Sequence, residues 1–262
     1  MACLLAGLGL ALMLALAACE SGGNTTEPQF AGGSVIQWDR SPQTVVFRAD
    51  VEGGENTFLR GNDIPLCTIY GDNRVVWTNV LGEFNVQVLE DRLTDQQIQD
   101  YISYLTIVQQ FFNYQGQADV LPPSAIPPVV ETLYVAVNGR EHKSDAFAEW
   151  PPDYFQTVVN ACKALSRAPV LVAPSAAWVT VREVDYNPSV PMLLWEGEAA
   201  DLNLGELAAA GEARWLEGQN VRVLWNLLRN SSPITRFLDE NGAYEIVVAA
   251  PGVNRNAPPP PQ

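Results

Sequence analysis

The chain has 262 residues, of which 47% are hydrophobic and 17% are charged, so it can bury a large core in one domain or in two small ones. Thirty acidic residues against fifteen basic ones give a net charge of −15. Phosphate backbones and anionic lipid headgroups repel such a body. Composition therefore argues against nucleic acid as a partner and against membrane attachment through surface charge.

The N-terminal segment, residues 2–18, consists almost entirely of Ala, Leu and Gly and carries no charge. It is short for a spanning helix, which needs about 20 residues, and it is better suited to the apolar region of a secretory signal. The segment ends in Leu16-Ala17-Ala18-Cys19, which resembles the lipobox of bacterial lipoproteins. The resemblance implies that residues 1–18 are a signal peptide and that Cys19 is lipidated. It also implies a protein anchored by lipid to the cell membrane, on the extracytoplasmic side.

This signal departs from the lipoprotein pattern in one respect, because Met1-Ala2-Cys3 contains no Lys or Arg. Either the true start lies upstream or the signal is weak. An uncleaved signal anchor with an unmodified Cys19 is the alternative interpretation.

Two segments have linker composition. Residues 19–42 are rich in Gly, Ser, Thr and Pro, which predicts a flexible tether after the lipidated cysteine. Residues 251–262 contain four consecutive prolines and are predicted to be a disordered tail.

The first predicted elements lie between residues 43 and 116. A strand over residues 43–51 is followed by a hairpin turning at Gly71-Asp72-Asn73 and by a strand near residues 83–89. Thr94 and Gln97 form a capping-box pattern that opens a helix ending near Gly116. The apolar face of this helix is predicted to contain Ile98, Tyr101, Ile102, Leu105, Val108 and Phe112.

A second hairpin is predicted to turn at Asn138-Gly139, and a second helix follows Pro151-Pro152-Asp153. Its inward face comprises Phe155, Val158, Val159, Cys162 and Leu165. Beyond a soft boundary near Ala168-Pro169, strands are predicted within residues 177–186 and 212–216, a helix over residues 219–230, and a hairpin over residues 234–250 that turns at Asn241-Gly242.

The predicted fold class is α+β, with antiparallel sheets and helices packed on one face. Residues 43–168 form a strands-helix-hairpin-helix unit. Residues 169–250 form a second β-rich α+β unit, which either shares the first core or has its own.

The body also resembles a group of uncharacterised bacterial lipoproteins and exported proteins. The residues that carry this likeness are Pro65 to Val76, the helix start at Leu93-Thr94, and the order from Asp201-Leu202 to Glu217-Gly218-Gln219-Asn220. The resemblance implies fold and location and no particular reaction.

No catalytic motif stands out, so no catalytic residue, metal or cofactor is predicted. His142 is the only histidine and is expected to be a solvated turn residue. A pair of acids, Glu183 and Asp185, and a looser group, Glu196, Glu198, Asp201 and Glu206, are expected to be solvated surface, with a metal or hydrolase site as the alternative. Trp38 and Trp195 are the tryptophans that the sequence marks as candidates for exposure.

Cys67 and Cys162 are the other mature cysteines, and two interpretations are open. Export favours a disulfide between them. We favour two buried thiols, because a sequence cannot show that the Cα atoms come within bonding range.

The sequence therefore predicts a lipid-anchored binding or interaction module at the cell envelope, not an enzyme, whose partner is an envelope protein or a small molecule. A hydrolase of envelope polymers and a passive structural spacer are the alternatives.

Overall fold

A computed structural model describes residues 36–55, 57–118, 124, 126–196 and 202–261. The predicted signal peptide and Cys19 lie outside the described residues, as do residues 19–35 of the predicted tether. In the described ranges, no helix has the length and apolar character that crossing a membrane requires.

The first sheet contains seven strands in the spatial order β6-β5-β1-β2-β3-β4-β7, and all the neighbours are antiparallel. Both predicted hairpin turns are present, with positive φ at Asn73, Asn138 and Gly139. The strands are β1 Val45–Glu52, β2 Cys67–Tyr70, β3 Arg74–Gly82, β4 Asn85–Arg92, β5 Val130–Val137, β6 Arg140–Asp145 and β7 Val170–Leu171.

Two helices, α1 Asp95–Ser103 and α2 Tyr154–Lys163, cover one face of this sheet. The capping box predicted for α1 is present, since the Thr94 side chain accepts from the Gln97 backbone and the Gln97 side chain accepts in return. The apolar sides of both helices share one core with every second residue of the strands beneath them. These strand residues are Phe47, Ala49, Cys67, Ile69, Val75 and Trp77.

The end of α1 differs from the prediction. The helix stops at Ser103, a π-helical turn spans Tyr104–Val108, and Gln110 adopts the left-handed conformation before a 3-10 turn. These irregular turns change the phase of the helix, so Phe111 is buried whereas Val108 and Phe112 are exposed. A constant period of 3.6 residues could not anticipate that change.

The second sheet has five strands in the order β10-β8-β12-β11-β9, in which only β9 and β11 are parallel. Its strands are β8 Ala176–Val184, β9 Met192–Leu194, β10 Arg214–Glu217, β11 Arg236–Leu238 and β12 Ala243–Ala249, and its helices are α3 Leu204–Ala210 and α4 Gln219–Arg229. Neither β9 nor α3 was predicted, because segments of three and seven residues are too short to show a clear period. The α+β prediction is confirmed.

The two units share a core. Tyr70, Val76 and Val88, on the second face of the first sheet, pack in one cluster with residues of the second sheet and with α3 and α4. Strand β7 pairs with β4, so the chain leaves the first sheet after residue 171 and not at residue 168. The second unit therefore packs on the second face of the first sheet, in a core that both units form.

Both predicted linkers contain ordered contacts. Trp38, assigned to the tether, is buried and donates from Nε1 to the Gly71 carbonyl at 3.2 Å. At the other end, Val253 and Asn254 are buried, and Trp178 donates to the Pro259 carbonyl at 3.0 Å. Linker composition was misleading for residues 36–42 and 251–261, because the partners of these residues lie far away in the sequence.

The structure joins Cys67 on β2 to Cys162 on α2 by a disulfide, with the Cα atoms 6.4 Å apart. The preference for two free thiols was therefore wrong. Both cysteines are buried in the first core, and the tertiary packing of α2 on β2 brings their Cα atoms within the bonding range of about 4.4–6.8 Å.

Candidate functional site

A cleft of about 410 Å³ opens between the first sheet, the chain that follows β1, and the C-terminal end of α4. We call it the Arg229 cleft and define it by Thr78, Val80, Val86, Leu228 and Arg229, which line it together with neighbouring residues. Its volume lies within the range of about 300–1,000 Å³ that is usual for small-molecule sites.

The floor of the cleft exists because β3 is longer than β2. Strand β2 pairs with β3 only through residues 75–77, so beyond them β4 is the only strand that pairs with β3 in this sheet. Alternation along the strand turns Val76, Thr78 and Val80 away from the helix-covered face, and Val80 and Val86 are cross-strand partners. The result is an apolar floor with one hydroxyl group.

Thr78 contributes that hydroxyl group. Its side chain is 4% exposed, and Oγ1 has no hydrogen-bond partner among the described residues. A buried hydroxyl without a partner costs free energy.

Arg229 forms the opposite wall at the last turn of α4. Its Nη2 donates to the Asn62 carbonyl at 2.9 Å, and the guanidinium stacks over the Trp225 ring at 5.0 Å. Nε is inaccessible to solvent and, within the described part of the chain, has no hydrogen-bond partner. Burial lowers the pKa of the Arg229 guanidinium from 12.5 to about 10, and the charge of Asp63 offsets only part of this effect.

Asn62 fixes the position of that guanidinium. Its side chain donates to the Ile246 carbonyl and accepts from the Val248 amide, both at 2.8 Å, along the part of β12 that β11 does not cover. The same residue accepts from Arg229 through its backbone carbonyl. The edge of the second sheet therefore determines where the free Nε of Arg229 lies.

A network of buried charges closes the end of the cleft. Arg255 binds Asp50 through two hydrogen bonds, one of them 2.7 Å from Nη2 to Oδ1, and Asp50 is 2% exposed. Asp63 lies 3.0 Å from Arg60 Nε and 3.6 Å from Arg255 Nη1. Burial lowers the pKa of Arg255, but hydrogen bonds and charge from Asp50 outweigh it, so the pKa rises.

The arginines of the cleft thus differ in whether they form an ion pair with a carboxylate. Arg60 and Arg255 each pair with a carboxylate, whereas Arg229 forms no ion pair with any carboxylate in the described ranges. The cleft thus combines an apolar floor with a lining of three arginines and three carboxylates, Asp50, Asp63 and Glu83.

His142, the only histidine of the sequence, is held by a hydrogen bond and by contact with an aromatic ring. Its Nε2 lies 2.8 Å from the Tyr114 carbonyl, and its ring packs edge-on against Phe111 at a centroid distance of 4.8 Å. It is half-buried on β6 and not the solvated turn residue that was expected. Among the described residues, no carboxylate pairs with it to form a catalytic dyad.

The predicted acidic groups do not converge on the Arg229 cleft. Glu183 and Asp185 are exposed and line an open concavity with Arg182 and Arg236, while both arginines turn toward the buried Glu245. Glu196 and Glu206 are also exposed, and Glu198 and Asp201 lie outside the described residues. In the described ranges, no group of three or more His, Cys, Asp or Glu side chains could hold a metal ion.

The two tryptophans that the sequence marked for exposure are both buried. Trp38 contacts the turn after β2, and Trp195 donates from Nε1 to the Leu202 carbonyl at 3.0 Å. The structure thus gives no exposed aromatic platform at either position.

Comparison with known proteins adds no assignment, because no protein-family model, curated protein or solved structure matches the chain. The residues of the Arg229 cleft were not identified from the sequence. One signal was available: Arg229 follows Trp225 by four residues on an amphipathic helix, which places a cation on the inward face.

Proposed function

We propose that the protein is a lipid-anchored extracytoplasmic binding module at the cell envelope, and that the Arg229 cleft is its binding site. The observation that carries this proposal is a concave cleft of about 410 Å³ with an apolar floor, whose lining includes the buried cation Arg229.

Two features support the proposed location. The lipobox-like Leu16-Ala17-Ala18-Cys19 stands at the end of an apolar segment of signal-peptide length. The disulfide between Cys67 and Cys162 fits an oxidising compartment, because cytosolic thiols are kept reduced.

We expect Cys19→Ser to abolish lipid attachment, because serine has no thiol to form the thioether. Cells grown with labelled palmitate should incorporate label into the wild-type chain and none into the variant, which should move to the soluble fraction. Stable anchoring takes about two acyl chains, so partial retention is not expected. Cys3→Ser is the matched control and should retain the label. Equal labelling of wild type and Cys19→Ser would refute the lipoprotein assignment.

We expect Val80→Trp to block the cleft and remove ligand binding while preserving the fold, since Val80 is a largely exposed floor residue. The assay is a thermal-shift series on the full chain in mild detergent against small carboxylates, their amides, sugars, peptidoglycan fragments and short peptides. A compound at a hundred times its dissociation constant adds about 2.7 kcal/mol of stability.

The matched control is Leu81→Trp, because Leu81 is the next residue on the same strand, is also exposed, and does not line the cleft. A shift in wild type and Leu81→Trp that disappears in Val80→Trp would support the cleft. A series without any shift would contradict the binding proposal and favour a passive spacer.

A further inference from the structure

The outer face of the second sheet carries two tryptophans side by side. Trp178 of β8 and Trp215 of β10 are direct cross-strand partners, and their ring centroids lie 5.4 Å apart in an edge-on arrangement. The chain neighbours of Trp178, which are Ala177 and Val179, are buried in the second core. Alternation along β8 therefore turns Trp178 away from that core, and its partner on β10 lies on the same face. We call Trp178 and Trp215 the tryptophan pair.

The proline-rich tail, residues 258–261, lies on this pair. The indole N–H of Trp178 donates to the Pro259 carbonyl at 3.0 Å. Trp215 donates instead to the Glu217 carboxylate at 2.8 Å, which holds the second ring in place without using the tail. The tail therefore contacts an aromatic surface that the sheet itself positions.

The tail has the conformation that such a contact requires. Residues 257–260 each precede a proline and belong to no helix, strand or turn, so polyproline II is the conformation open to them. A polyproline II segment has no internal hydrogen bonds, and its carbonyls are free to accept from a donor such as the Trp178 indole.

The tail is held less firmly than the chain that leads to it. Asn254 is buried, and Arg255 binds the buried Asp50. By contrast, residues 258–261 are exposed, and their contact with Trp178 is a hydrogen bond at the surface. The tail can therefore detach while the segment up to Arg255 stays in place.

The tail does not fill the surface on which it lies. A cavity of about 370 Å³ beside it is lined by Trp215, Pro251 and Pro260 among other residues. A second cavity of about 560 Å³ is lined by Tyr70, Pro259 and again Pro260. Pro260 stands in the wall of both cavities, so the surface extends on either side of the tail. A longer proline-rich segment would gain contacts that the tail lacks.

We propose that the tryptophan pair binds a proline-rich segment of another protein in the polyproline II conformation, and that the chain's own tail occupies this surface until the partner displaces it. Aromatic-lined grooves are a recurrent receptor for such segments, because preformed polyproline II loses little entropy on binding. The site is additional to the Arg229 cleft and does not rest on it.

Charge favours a different protein over a second copy of this chain. Two copies with a net charge of −15 each repel one another, whereas a proline-rich segment is uncharged and meets no such barrier. The partner is therefore defined by its chemistry: an uncharged, proline-rich and extended segment.

The test is a titration of the full chain in mild detergent with decaproline and with a Gly-Ser peptide of the same length. Calorimetry gives the affinity, and nuclear magnetic resonance of the indole N–H groups reports whether the signal of Trp178 moves. We expect decaproline to bind saturably and to move that signal, and the Gly-Ser peptide to do neither.

The decisive variant replaces the tail prolines within the full chain. Its changes are Pro258→Gly, Pro259→Ser, Pro260→Gly and Pro261→Ser. It removes an intramolecular competitor whose effective concentration is in the millimolar range, so it should bind decaproline about 2- to 10-fold more tightly than the wild type. An affinity no higher than that of the wild type would show that the tail and the peptide do not share a surface, and would overturn the proposal.

Trp178→Phe, added to the tail variant, keeps an aromatic ring and removes the donor. It should weaken decaproline binding about 2- to 10-fold, because one hydrogen bond is lost. Trp150→Phe in the same background is the matched control, since Trp150 is also half-buried and donates to Ser144 in the first unit. It should bind like its parent, and equal affinities of the two tryptophan variants would contradict the role of Trp178.

Two further results separate this proposal from its neighbours. Val80→Trp should bind decaproline like the wild type, so failure of decaproline to bind would overturn the role of the tryptophan pair and leave the Arg229 cleft untouched. A wild type that self-associates in sedimentation, beside a tail variant that stays monomeric, would make a second copy the occupant and would overturn the assignment to another protein.

Discussion

Reduction of the disulfide between Cys67 and Cys162 should lower the free energy of unfolding by about 4.7 kcal/mol. The bond closes a loop between residues separated by 95 positions, and the loop-entropy model gives this value for a loop of about that length. It also links α2 to β2, so the open chain regains freedom that no other covalent bond in the described residues restricts. For a chain of this size we expect a decrease in melting temperature of roughly 10–20 °C.

The measurement is thermal unfolding followed by circular dichroism, with and without reductant. Free-thiol counts on the denatured protein establish that reduction is complete. The double variant Cys67→Ala and Cys162→Ala should melt near the reduced wild type and should not respond to reductant. A fully reduced wild type that melts at the same temperature as the oxidised protein would contradict the prediction.

Arg255→Met should destabilise the fold by about 3–5 kcal/mol, because it leaves the Asp50 carboxylate charged and buried without its partner. Arg255 also donates to the Val51 carbonyl and carries the segment after β12 onto β1. The effect should therefore appear as weaker attachment of the C-terminal segment as well as lower global stability, both measurable by urea unfolding with hydrogen exchange.

Arg60→Met is the matched control. It removes the ion pair with Asp63, whose carboxylate is 38% exposed, and exposed pairs are worth about 0–1 kcal/mol. Replacing both members of the buried pair, as Asp50→Leu with Arg255→Met, should recover much of the loss, because no isolated charge is left behind. A cost for Arg255→Met that is no greater than the cost for Arg60→Met would contradict the assigned role.

Local sequence patterns predicted the parts of the fold that local chemistry determines. Asn73 and Asn138-Gly139 formed the expected turns, since their positive φ angles follow from residue type. Thr94 capped α1 as expected, since the capping preference of threonine also follows from residue type. The phase change near Gln110 depends on packing around Phe111, and the order in residues 251–261 depends on contacts with β1 and β8, so neither appears as a pattern in the sequence.

The residues of the candidate site could not be identified from the sequence, for a related reason. Thr78 and Arg229 are separated by about 150 residues, and each becomes notable only because it is buried without a partner. His142, Glu183 and Asp185 attracted attention through residue type alone, and the fold gives them ordinary environments. Burial and hydrogen-bond satisfaction, which distinguish the two groups, are properties of the tertiary structure.

The most direct test of the binding role is the thermal-shift series on the wild-type chain and on Val80→Trp, side by side. We expect at least one compound to raise the melting temperature of the wild type and to leave that of Val80→Trp unchanged. Identical shifts for the two proteins would show that any binding occurs outside the Arg229 cleft, and would contradict the assignment of this cleft as the functional site.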